Sequence, residues 1–156
     1  MDVKIAGNHT IIKAMNLLLP LIGIGFMAFY EYCDTSCTYL KGSFVGVDLK
    51  WLGIIYMIVL FFSVFYFKDS IVTWMGHIRN ILISAAVGAE FFLIGFQVVK
   101  GTYCPFCLAF GACVFGLFGI NFKSMNKGLM IVSILAGLIG FTLFFEGQTS
   151  PMFDLE

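Results

Sequence analysis

Five stretches of this chain are nearly free of charge, and short polar segments separate them. Ile11–Glu31, Trp51–Phe67, Asn80–Val99, Cys104–Phe122 and Gly128–Phe145 each approach or exceed the ~17–25 apolar residues a helix needs to cross a bilayer. The second is the shortest, and Phe44–Val47 just before it either extends it or lies in the membrane interface. The pattern predicts five spans, or four if the last run lies elsewhere. The expected architecture is all-α: a four-helix transmembrane bundle plus a fifth transmembrane helix, in a single integral membrane domain over residues 1–156.

Between lipid-embedded helices the hydrophobic drive is weak, so small residues that let backbones approach carry much of the association. Ala112-x-x-x-Gly116 and Ala136-x-x-x-Gly140 offer such spacings, and Pro20 predicts a kink in the first span. Composition agrees. The chain is 60% hydrophobic and 12% charged, against roughly 25% charged in soluble domains. The formal net charge of zero gives no reason to expect a nucleic-acid partner. The apolar stretch within residues 1–31 is too long for a signal peptide and no small-x-small site precedes Cys33, so it reads as an uncleaved span. The tail Gly147–Glu156 is too short to be a domain.

Basic residues give the orientation. Lys4, Lys13, Lys68, Arg79, Lys123 and Lys127 fall on one side of the predicted spans, and Lys41, Lys50 and Lys100 on the other. Six against three places the amino terminus and the 68–79 and 123–127 loops in the cytoplasm. Two cysteine pairs, Cys33-x-x-x-Cys37 and Cys104-Pro105-Phe106-Cys107, then share the opposite face, in a compartment that tolerates disulfides.

Cys104 and Cys107 stand at the predicted amino end of the fourth helix, with Pro105 suited to its first position. The positive end of a helix dipole stabilises a thiolate there, which suits redox exchange. Two ordinary buried cysteines are the plain alternative. Cys33 and Cys37 lie in a polar loop (Asp34, Thr35, Ser36), and a static disulfide pinning that loop is theirs. Four thiolates on one face could instead bind zinc or copper, although His9 and His77 belong to the other side and no metal ligands are assigned. Cys113 lies two turns inside the fourth helix and reads as a packing residue.

The constellation fits a relay. A loop pair, Cys33 and Cys37, takes electrons from a soluble dithiol, and the membrane-edge pair receives them through a mixed disulfide. No haem, flavin or iron–sulfur signature is present, so a lipid-borne quinone is the economical acceptor.

Two loop cysteines after the first span, Ser43 six residues on, the run Gly46-Val-Asp-Leu-Lys-Trp-Leu-Gly53-Ile-Ile-Tyr56 and the late C-x-x-C together resemble the vitamin K epoxide reductase family, its bacterial members above all. The resemblance covers roughly residues 10–122. It implies a four-helix bundle around ubiquinone or menaquinone in a prokaryotic cytoplasmic membrane, and a thioredoxin-like partner on the extracytoplasmic face. Cys104 would exchange with a loop cysteine and Cys107 would reduce the quinone, with Ser43 near the reactive site. Leu52 and Tyr56 would contact the quinone, and Phe106, Phe110 and Gly111 would complete its wall. This chain differs in three respects. Only three residues separate the loop cysteines, the loop after Cys37 is short, and Gly111 stands about where some members carry a tyrosine. A fifth span leads into a fused thioredoxin-like domain in several relatives. Here the chain ends at Glu156, so the expected partner is a separate protein.

Glu90 sits in mid-span, where a carboxylate costs at least ~2.5 kcal/mol and must face the bundle or be protonated. Gln97 is seven residues on, on nearly the same face and closer to the dithiol. Quinone reduction takes up protons, so Glu90 reads either as part of a proton route or as a neutral acid bonded between helices. The rival of another class is a membrane protein that binds or transports metal ions through thiols. A reductant conduit and a purely structural subunit with two static disulfides complete the alternatives.

Overall fold

The computed structural model describes residues 3–32, 40–66, 72–101 and 103–149. Along the chain run α1 (Val3–Tyr32), β1 (Leu40–Phe44), β2 (Val47–Asp48), α2 (Leu49–Tyr66), α3 (Val72–Lys100), α4 (Pro105–Asn121), a short 3-10 turn (Phe122–Ser124), α5 (Lys127–Phe144) and β3 (Phe145–Thr149). The fold is all-α in its bulk, as the apolar runs predict. α1 and α3 begin about two turns before those runs, because a helix carries its own hydrogen bonds past the membrane edge. Among the described residues, four helices hold stretches long and apolar enough to cross a bilayer: Ile11–Tyr30, Gly76–Lys100, Pro105–Ser124 and Lys127–Phe144. The fifth run meets the length. The one that falls short is α2, with an apolar stretch of Leu49–Val64, although its Met57 and Leu60 are fully buried in the core.

Successive helices run in opposite directions. The end of α1 meets the start of α4, with Phe29 and Tyr30 packed on Phe106 at centroid distances of 6.4 and 6.1 Å. The end of α3 meets the same point through Gln97, whose Oε1 accepts the Cys104 N–H at 2.9 Å. That end of the bundle also carries a three-stranded antiparallel sheet in the order β2-β1-β3. The sheet departs from expectation. Phe44–Val47 is a hairpin turn, with Phe44 opposite Val47, and part of the expected plain tail forms β3, with Phe44 opposite Phe145. Val45 and Gly46 both have positive φ, 53° and 76°, as a type I′ turn demands. A β-branched residue is strained there, and the Val45 N–H is held by the Phe144 carbonyl at 3.3 Å.

The tightest helix pair is α3 with α5. A Cβ at Gly88 would overlap the Ile134 carbonyl, and one at Gly137 would overlap the Ala85 carbonyl. These glycines, and not Ala136 and Gly140, carry the contact: Ala136 is exposed and a Cβ at Gly140 would meet nothing. On α4, Ala112 is exposed, while a Cβ at Gly116 would come within 3.2 Å of Leu19. α1 passes unbroken through a buried Pro20.

A second correction concerns Arg79, expected in a cytoplasmic loop. It lies within α3 and turns into the bundle. Its guanidinium donates to Asn16 Oδ1 at 2.7 Å and to Asn121 Oδ1 at 3.4 Å, and Asn121 Nδ2 donates to Asn16 at 2.8 Å. α1, α3 and α4 are thereby tied at the end opposite the sheet.

Candidate functional site

The Cys104–Cys107 turn is built as its sequence predicts. Cys104 is the N-cap of α4 in extended conformation (φ −97°, ψ 108°) with Pro105 at the first helical position. Its Sγ accepts the Cys107 backbone N–H at 3.3 Å, and its carbonyl accepts from Leu108 at 3.0 Å. A sulfur so placed receives helix N–H groups that would otherwise lack a partner. Both cysteines stand as thiols. The Cys107 thiol hydrogen-bonds the Cys104 sulfur, and the backbone N–H groups of Cys107 and Phe106 add to it. Together they draw the Cys104 thiol down to about 7 against the opposing effect of burial.

The two sulfurs have different surroundings. Cys107 opens on a cavity of about 300 Å³, while Cys104 does not line it. Within the size range of small-molecule sites, this cavity is almost wholly apolar. α2 contributes Leu52 and Tyr56, α3 Glu90, α4 Cys107 and Phe110, and Phe44 of β1 faces it from the sheet. Phe44 is held there by stacking on Phe141 at 4.7 Å.

Comparison with known proteins adds nothing: no family model, curated protein or solved structure matches this chain. The geometry stands by itself.

Five of the expected residues therefore meet around one cavity: Cys107, Leu52, Tyr56, Phe110 and Glu90. Others do not. Phe106 turns away to dock the last turn of α1. Gly111 is not on the wall but behind it, where a Cβ would come within 2.7 Å of Glu90 Oε2; its smallness admits the carboxyl. Ser43 is paired in β1 between Asp48 and Glu146. Because strand side chains alternate, it points away from the face on which Phe44 meets the cavity. Cys33 and Cys37 lie outside the described residues. Cys113 is buried in the core cluster, as a packing residue.

Tyr56 donates its hydroxyl to the Leu82 carbonyl at 3.4 Å. Among the described residues no group of three or more His, Cys, Asp or Glu is placed to hold a metal ion. Sequence reasoning missed one wall. α5 lines the cavity through Ala136, Gly137, Gly140 and Phe141, so the fifth helix is part of the site and not an addition to a complete four-helix bundle. Its small residues were legible as a packing stripe, but what they face depends on how α5 rotates about its contact with α3.

Proposed function

We propose that this protein is a membrane thiol oxidoreductase that takes electrons from a thioredoxin-like dithiol partner and delivers them to a quinone, supporting disulfide formation in the partner's compartment. One observation carries the reading. The two thiols of a single C-x-x-C turn are divided, Cys104 at the end of α1 from which the Cys33–Cys37 loop departs, and Cys107 on an apolar cavity.

The residues suggest the following division of labour. A loop cysteine thiolate attacks Cys104 in the Cys104–Cys107 disulfide, and Cys107 leaves as thiolate. The second loop cysteine resolves the mixed disulfide, so that the loop pair is oxidised and the membrane pair reduced. When bound, a quinone supplies an acceptor for two electrons and two protons. Leu52, Phe110 and Phe44 would hold its ring beside Cys107 and exclude water, and the lowered Cys104 thiol would keep a nucleophile ready to close the disulfide again. The cavity suits a flat ring: apolar faces, one thiol, and two oxygen-bearing groups at its wall.

The charge count favours a cytoplasmic location for the end opposite the sheet. With Arg79 buried inside the bundle, five basic residues against three still follow the positive-inside pattern. A bacterial cytoplasmic membrane with the dithiol facing outward is the corresponding location.

The test uses detergent-purified protein, a reduced thioredoxin-like protein and a soluble ubiquinone or menaquinone analogue, with quinone absorbance followed over time. Thiol-dependent reduction that vanishes in Cys107→Ala is the expected outcome. Unchanged turnover in that variant would sink the relay.

A further inference from the structure

Six polar side chains are buried in the described part of the bundle: Asn16, Ser84, Glu90, Gln97, Asn121 and Ser133. Five of them have a hydrogen-bond partner. Asn16 and Asn121 share the Arg79 network, Ser84 donates to Met125, Gln97 accepts from Cys104 and Ser133 donates to Leu129. Glu90 alone, 5% exposed, has none among the described residues, and its side chain lies on the wall of the cavity. A buried carboxyl without a partner is costly, and this one is aimed into a cavity of ligand size.

Its position relative to the dithiol is specific. Cys107 and Gly111 are four apart on α4 and so stand on one face, one turn from each other. The Glu90 carboxyl rests in the space that a Gly111 side chain would fill, 2.7 Å from that Cβ position. It therefore sits against α4 one turn below the Cys107 thiol. Among the described residues, the groups facing it around the cavity offer no other carrier. Tyr56, on α2, is committed as a donor to Leu82. α1 contributes Met27, and α5 contributes only Ala136, Gly137, Gly140 and Phe141. Toward the far end of the bundle stands Arg79, a fixed positive charge of the sort that keeps protons out of a narrow path.

We infer that Glu90 carries the proton from the Cys107 thiol to the acceptor held in the cavity, so that electrons and protons reach it from the same side. The inference rests on the quinone reading above and supplies its proton path. Closing the Cys104–Cys107 disulfide releases two electrons and the two thiol protons. The Glu90 carboxyl gives its proton to a quinone oxygen, and the Cys107 proton restores it as the S–S bond forms. The Cys104 proton is lost to water at the sheet end, and one proton from the same water replaces it. The electron pair and two protons together convert quinone to quinol.

The experiment has two readouts. In quinone-free protein, infrared difference spectra between the dithiol and the diamide-oxidised disulfide should show a shifted carboxyl C=O band, from the changed surroundings of the buried acid, that is absent from Glu90→Gln. In turnover, Glu90→Gln should lose about 10²–10⁴ in kcat for quinone reduction with KM little changed and with single-turnover exchange with the reduced partner intact; Glu90→Asp should recover part of the rate. Absence of the band in the unaltered protein overturns the inference, as does a Glu90→Gln variant with full kcat or with a loss confined to KM. If the unaltered protein shows the band but reduces no quinone analogue, the quinone reading fails while the proton transfer stands.

Discussion

At the scale of single residues, the two cysteines of one helical turn differ because of what each faces. Cys104 is 1% exposed and receives N–H groups from the first turn of α4, with the Cys107 thiol beside it. Those donors stabilise the anion, so its thiolate persists to lower pH than that of an ordinary cysteine. Pulsed iodoacetamide labelling with site-resolved mass spectrometry across pH 5 to 9 should follow this. Burial keeps the absolute rate low, but the rate at Cys104 should rise with pH to a midpoint below that of an ordinary cysteine. Cys107→Ala removes the leading donor and should move that midpoint upward. A midpoint that stays at the ordinary cysteine value in the unaltered protein would contradict the geometry. Much of this was readable beforehand: C-P-F-C places a proline at N1 and a sulfur at the cap, and both are observed. Gly111 was not readable. Its role is to make room for Glu90, a residue 21 positions earlier on another helix, and no local pattern encodes that meeting.

Among elements, the α3–α5 pair shows how far a small-residue motif can be trusted. The spacing in Ala136-x-x-x-Gly140 is right, but the backbone contact uses Gly137 with Gly88 and Ala85. A motif fixes the spacing of small residues, whereas the helix face that meets a neighbour depends on everything packed around it. Replacing Gly88 with leucine should force α5 off α3 and lower the detergent-state melting temperature, with a cost of about 1–3 kcal/mol or more from overpacking. Leucine at the exposed Ala112 should change it little. Equal effects at the two positions would show that the glycine contact is not what joins the helices. The small sheet was still less accessible to sequence reasoning. β1 and β3 lie about a hundred residues apart, and they pair only because α1 and α5 both end at the same level. The turn between β1 and β2 has valine at positive φ, which is a poor hairpin signal. Its geometry comes from the neighbouring strand and from the Phe144 carbonyl.

At the scale of the whole molecule, hydrophobic runs predicted the number and order of helices because bilayer thickness imposes a length on each. They also predicted that Cys104 and the exit of α1 share one end, and the Phe29–Phe106 and Tyr30–Phe106 contacts agree with that. The absolute direction of insertion rests on loop charge alone, and on the proposed reading it decides which compartment provides the reductant. Single cysteines in a background with all five native cysteines replaced would test it. A probe at Val47, in the exposed strand β2 at the dithiol end of the bundle, should react with a membrane-impermeant maleimide on intact bacterial cells. A probe at Ser124, in the turn at the other end between α4 and α5, should react only after the membrane is permeabilised. The reverse result would put the C-x-x-C in a reducing cytoplasm, and the proposed outward thiol oxidase would have no substrate pool there. Relocating both lysines of the Lys123–Lys127 segment to the Val45–Val47 turn should weaken or invert the pattern, because the excess of five basic residues over three is the whole of the orienting signal. A topology that resists that change would have to be set by something other than charge, and the compartment assigned to the partner would lose its support.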